Sequence, residues 1–212
     1  MRLFLLPVFL LTAFSALAQS DSYPDNRNKR EAYTRMAEKD LKNDLAAFAF
    51  AALDDRLNKQ PLQSIPAVDF GANFITFEYD SFSVTIKGGV FRPSEHKLQY
   101  FDEKYLVKID NKPFYGSYGS VPQSNIASVT VLIGKDTIAI PQTAIFDLYS
   151  PEFTYSGANG STRTNNGVYL SPDKRTLYIY MLNHETIGKY EVTWIIQDKK
   201  YLRRVVDSGL LH

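Results

Sequence analysis

The chain has 212 residues, with 24 Lys and Arg against 23 Asp and Glu, 44% hydrophobic residues and no Cys. So even a charge balance removes the electrostatic basis for binding nucleic acid or an anionic membrane surface. Without Cys there is neither a disulfide nor a cysteine-borne acyl anchor, and a core must be held by packing, for which the apolar content suffices.

At the N-terminus, Arg2 precedes an almost unbroken apolar run from Leu3 to Leu17, and small residues Ala16 and Ala18 stand just before Gln19. This is the pattern of a secretory signal peptide cut after Ala18, with an apolar stretch too short to cross a bilayer comfortably. Losing Arg2 with that leader leaves 23 basic residues against 23 acidic ones. The expected location is periplasmic or secreted, with no membrane span in the mature chain. Cysteine-free export favours a bacterial periplasm or exterior.

Residues 19–28 form a polar leader, and an amphipathic helix is predicted over 29–60. Tyr33, Ala37, Leu41, Leu45, Phe48 and Ala52 recur every three or four residues, and neither Gly nor Pro interrupts before Pro61. The apolar run Leu45 to Leu53 calls for cover on more than one side, most simply from the helix's own domain.

From Phe74 the period becomes two. Ile75, Phe77 and Tyr79, then Phe82, Val84 and Ile86, predict paired strands around a turn at Asp80-Ser81. Ser128 to Ile133 and Asp136 to Ile140 predict a hairpin across Gly134-Lys135, where a glycine in first loop position suits a type II′ turn. That loop length opposes Ile133 to Asp136, Val131 to Ile138 and Val129 to Ile140, placing the large apolar side chains on one face. Tyr105 to Asp110 reads as a further strand. Leu177 to Leu182, apolar on both faces, reads as a central strand, and Tyr190 to Gln197 with Tyr201 to Val206 as a closing hairpin. Trp194 shares a face with Tyr190, Val192 and Ile196, which predicts a core role for it. Many short strands after one helix, with no strand–helix alternation, predict a mainly β chain whose residues 61–212 form an antiparallel β-sandwich of Ig-like or jelly-roll type.

Catalytic motifs fail in turn. His184-Glu185 begins like a zinc-protease helix, but Gly188 stands where the second His belongs. The glycines of Gly157 to Thr162 lack the Lys and helix of a phosphate loop, and no Gly-x-Ser-x-Gly elbow occurs. His96 and His184 each adjoin a Glu, yet no ligand spacing joins them, so no metal and no other cofactor is expected. The acids to inspect for glycoside chemistry are Glu78, Asp102, Glu103 and Glu152. Asn159-Gly160-Ser161 is formally an N-glycosylation sequon, meaningful only in a eukaryotic source.

Two segments stand out. Asn111 to Asn125 has the Tyr, Ser, Gly and Asn content of binding loops, in which rings give contact area at low entropy cost. Pro151 to Gly167 is long for a connection in a compact domain. The expected binding residues are Phe114, Tyr115 and Tyr118 as an aromatic platform, with Tyr155, Asn159 and Arg163 as polar and stacking partners. The role this supports is a non-catalytic exported binding module, with a carbohydrate or another envelope or secreted protein as partner. Its alternatives are a secreted polysaccharide hydrolase or lyase on the same scaffold, and an envelope-associated subunit joined through the N-terminal helix.

Overall fold

The computed structural model describes residues 36–49, 62–117, 119–184 and 188–208. The signal peptide, the polar leader, both flanks of the expected helix, Tyr118 and Glu185 lie outside them. In chain order the elements begin with helix α1 (Lys39–Phe48), then strands β1 (Gln63–Ile65), β2 (Ala67–Gly71), β3 (Phe74–Tyr79), β4 (Phe82–Val90), β5 (Leu98–Phe101), β6 (Tyr105–Ile109) and β7 (Ser124–Ile133). They continue with β8 (Asp136–Ala139), β9 (Tyr155–Ser156), β10 (Thr162–Arg163), β11 (Gly167–Leu170), β12 (Thr176–Asn183), β13 (Tyr190–Gln197) and β14 (Lys200–Asp207). Among the described residues no helix is long and apolar enough to cross a membrane.

Among the described residues the chain is mainly β, with two five-stranded antiparallel sheets and one short α-helix. One sheet has the order β1-β11-β12-β13-β14 and the other β2-β3-β4-β7-β8, while β5-β6 and β9-β10 form two-stranded sheets. Side chains of both large sheets enter one buried cluster, from Ile75, Phe77, Val84, Ile86 and Val131 on one to Leu177, Ile179, Val192, Trp194 and Ile196 on the other. Period-two patterning produces this directly, since Phe82, Val84 and Ile86 are buried while the residues between them are half-exposed.

Turn chemistry fixes the registers. Gly134 takes φ +66° between Ile133 and Asp136, which oppose each other, and Val131 opposes Ile138. The β3–β4 turn instead puts Asp80 at φ +52°, an aspartate in a conformation glycine adopts more easily. A two-residue loop, Asp198-Lys199, links β13 to β14, so the second strand starts at Lys200.

Strands β12 and β13 are buried on both faces because the second face meets α1. Leu41, Leu45 and Ala46 of the helix pack with Tyr178, Tyr180, Leu182, Ile195 and Val205. Phe48 stacks on Tyr169 with ring centroids 4.5 Å apart. Tyr178 Oη donates to the Asp44 carboxylate at 2.6 Å, a polar pin at the edge of this contact. The described helix is shorter than the periodicity suggested, and its apolar stripe lies on the chain's own sheet.

A strap from Pro141 to Phe153 crosses the end of the main core. Ala144, Ile145, Leu148 and Phe153 are buried in it, and Trp194 Nε1 donates to the Ala144 carbonyl at 2.8 Å. Arg204 donates through both terminal nitrogens to Asp147, at 2.6 and 2.7 Å, with side chains only 4% and 1% exposed.

Candidate functional site

The segment after β6 is held from both sides. Asp110 and Asn111, at φ +51° and +63°, make the tight turn that returns the chain to Ile109. Beyond it Tyr115 joins the strap as a short parallel bridge. Its N–H donates to the Asp147 carbonyl at 2.9 Å, and its own carbonyl accepts from the Tyr149 N–H at 2.9 Å. Gly116 follows at φ +85°, where a Cβ would lie 2.2 Å from the Tyr149 carbonyl oxygen, so only glycine fits. The Gly119 carbonyl then accepts from the Leu106 N–H at 3.1 Å, tying the segment to β6.

This docking decides what the expected platform residues do. Phe114 is half-buried and meets the Tyr149 ring edge-on at 5.7 Å, beside the small core of Phe91, Leu106 and Ile109. Tyr115 is half-buried against the main core, its ring 6.2 Å from that of Tyr190. Tyr118 lies outside the described residues. The exposed rings of this region belong to the β5–β6 hairpin: Tyr100 is 44% exposed, Phe101 68% and Tyr105 46%. Phe101 opposes Tyr105 in register, and both precede or follow the turn Asp102-Glu103-Lys104. Lys104 Nζ sits 4.9 Å from the Tyr105 ring centroid, a cation–π contact. Gln99, which precedes Tyr100 in β5, donates from Nε2 to Asn111 Oδ1 at 2.7 Å. The sequence signal for this patch is the pair of apolar residues before the charged turn and the Tyr after it.

The second expected group sits on the β9–β10 hairpin, where Tyr155 opposes Arg163. Asn159 Oδ1 accepts from the Ser161 N–H at 3.2 Å and from Ser161 Oγ at 2.5 Å. Arg163 Nε donates to the same Ser161 Oγ at 3.4 Å. Asn159 and Arg163 are therefore joined through one hydroxyl at an exposed tip. Asn166 anchors the base: its Nδ2 donates to the Glu152 and Phe153 carbonyls at 2.9 and 3.2 Å, and its Oδ1 accepts from the Leu182 N–H at 3.2 Å. The long connection is thus a pinned hairpin.

Apart from the neighbours Asp102 and Glu103, the inspected acids stand on separate elements. Glu78 accepts from Ser83 Oγ at 3.4 Å, Glu152 accepts from the His184 N–H at 3.1 Å, and Asp102 and Glu103 occupy the β5–β6 turn. His96 stacks on Phe91 and its Nδ1 lies 2.7 Å from Asp110 Oδ2. The hydrogen bonds from His96 and the Lys97 N–H hold the Asp110 carboxyl below the usual carboxylate range. No group of three or more His, Cys, Asp or Glu side chains that could hold a metal occurs among the described residues.

A polar cavity of about 490 Å³ lies where α1 meets the turns at Ser171–Arg175 and Asp198, with Asp40, Asp44, Asp173 and Tyr178 in its lining. Burial pushes the Asp44 carboxyl up, opposed by the Tyr178 hydrogen bond and aided by Asp40 and Asp173. Asp198 is taken by Arg175 through two bonds of 2.7 and 2.9 Å, and Asp173 accepts from Ser171 Oγ at 2.6 Å. Asp173 and Asp198 are thus spent on closing turns and Asp44 on seating the helix. The chain matches no protein-family model, no curated protein and no solved structure.

Proposed function

We propose that this chain is an exported, non-catalytic binding module of β-sandwich type, Ig-like or jelly-roll, which holds a glycan on the exposed rings of Tyr100, Phe101 and Tyr105. What supports the sandwich is one apolar cluster fed by both large sheets. What supports export, to the periplasm or outside the cell, is the apolar leader pattern ending at Ala18. The observation that carries the binding role is the cross-strand pair Phe101 and Tyr105, which presents ring surface to solvent on a short hairpin. Rings so placed bury little in the fold and have contact area to offer a ligand. Sugar rings suit them, because apolar C–H faces stack on aromatic rings while hydroxyls meet amides such as Gln99 and Asn111. Nearly balanced charge fits a neutral ligand better than a polyanion.

The test is retention on insoluble polysaccharides and isolated cell-wall material, comparing the parent chain with Phe101→Ala/Tyr105→Ala. The double variant loses retention of the parent chain's target and keeps its melting temperature, because both rings are exposed. Equal retention by the variant, or retention of only a protein partner, rejects the reading.

A further inference from the structure

Two Asn-Gly pairs occur in the sequence, Asn159-Gly160 and Asn166-Gly167, and the fold gives them opposite surroundings. Asn159 is exposed at the tip of a hairpin held by only two residue pairs. Its side-chain carbonyl accepts two hydrogen bonds from Ser161, which draw electron density from Cγ and make that carbon more electrophilic. Gly160 follows at φ +76° with nothing within 4 Å of where a Cβ would stand, so this residue sits in open space and adds no side chain of its own beside the reacting atoms. That nitrogen donates to the Gly157 carbonyl at 2.9 Å, a bond that opening of this small tip releases.

Asn166 differs at each point. It is buried, its Nδ2 is held by two carbonyls, and its Oδ1 accepts from the Leu182 N–H. Gly167 is itself buried in β11, paired with Tyr180 and closely covered by the Tyr169 ring. Ring closure there requires the carboxamide to leave all three partners and a central sheet to open.

We propose that Asn159 is a site of spontaneous deamidation in the folded protein and that Asn166 is protected from it. The Gly160 nitrogen, after losing its proton to hydroxide, attacks Cγ of Asn159. The new C–N bond closes a five-membered succinimide as the Cγ–Nδ2 bond breaks, and the leaving nitrogen takes a proton from water and departs as ammonia. Water then opens either ring carbonyl, giving aspartate or isoaspartate at position 159. The product adds a negative charge beside Ser161 and Arg163, which already share a hydrogen bond.

The test incubates the purified chain at mildly alkaline pH, folded and in concentrated urea, then quantifies aspartate and isoaspartate at both sites by mass spectrometry. Trypsin cleavage after Arg163 puts the two asparagines on separate peptides. In the folded chain Asn159 converts at least about tenfold faster than Asn166, because only the second site waits for a larger opening. In urea the two rates come within about threefold of each other, since both pairs then sit in open chain. Equal conversion of both sites in the folded chain overturns the proposal. So does an Asn159 that stays intact while its unfolded counterpart reacts.

Discussion

Replacing Arg204 by Met strands a carboxylate in the core. Arg204 lies opposite Trp194 on β14, and its guanidinium is the bidentate partner of Asp147, with both side chains almost wholly shielded from water. Removing one member of such a pair destabilises by about 3–5 kcal/mol, because the other charge loses its compensation without regaining solvent. For a domain of this size each kcal/mol lowers the melting midpoint by about 2–4 °C, so Arg204→Met is expected to melt about 6–20 °C below the parent. The companion Asp147→Leu takes the bidentate carboxylate from the guanidinium and is expected to destabilise as well. The double variant Arg204→Met/Asp147→Leu recovers most of the loss, since two apolar side chains need no partner there. Circular dichroism melts of the four proteins at neutral pH give the coupling directly, and added salt leaves it nearly unchanged because the pair is buried. A single-variant loss below about 1 kcal/mol, or a double variant no better than its parents, refutes the reasoning. The pair also bears on the segment after β6, because the Asp147 carbonyl accepts the Tyr115 N–H. Amide exchange at Tyr115 and Tyr149 therefore accelerates in Arg204→Met before global unfolding.

Gly116→Ala is expected to lose more than about 3 kcal/mol, since its Cβ meets the Tyr149 carbonyl oxygen and its positive φ is strained for alanine. A urea titration that left its midpoint unmoved would contradict that docking. Asp44→Asn keeps an acceptor for Tyr178 and is expected to stabilise the fold at neutral pH by up to about 1 kcal/mol. Because the folded-state pKa of Asp44 lies above its unfolded value, the parent chain gains relative stability as pH falls through that raised pKa. The gap between the two proteins therefore closes on acidification, and melts across pH 3–7 that keep it constant disprove the sign. Asp110 runs the other way. Its lowered pKa contributes stability present above the unfolded carboxylate pKa and lost as pH falls through the folded one, and Asp110→Asn removes that component of acid sensitivity.

The sequence carries the hairpins well, because a two-residue loop around Gly134 and strict alternation leave one register that buries Val129, Val131 and Ile138 together. It carries the double burial of β12 equally well, since residues apolar on both faces need cover on both faces, but not that of β13, whose second face includes Glu191 and Thr193. What it carries poorly is which aromatic residues stay wet. Phe114 and Tyr115 sit in a stretch with binding-loop composition, yet a strap some thirty residues later takes their backbone and rings into the fold. Tyr100, Phe101 and Tyr105 look like ordinary strand residues, and their exposure depends on the hairpin standing apart from both large sheets. Asn166 shows the same dependence: a polar residue in an apparent loop becomes a buried three-bond anchor only once Glu152, Phe153 and Leu182 surround it. The strands β1, β2, β5, β9, β10 and β11 escape a period-based reading because most are too short to show an alternation.

The most direct test of the binding account is a map of backbone amide shifts by nuclear magnetic resonance while a soluble oligosaccharide, cut from whichever polysaccharide retains the chain, is titrated in. The account predicts perturbations concentrated on Tyr100 to Tyr105 and on the neighbouring Gly119 segment. Perturbations centred on the cavity beside α1, or none at saturating sugar, contradict it.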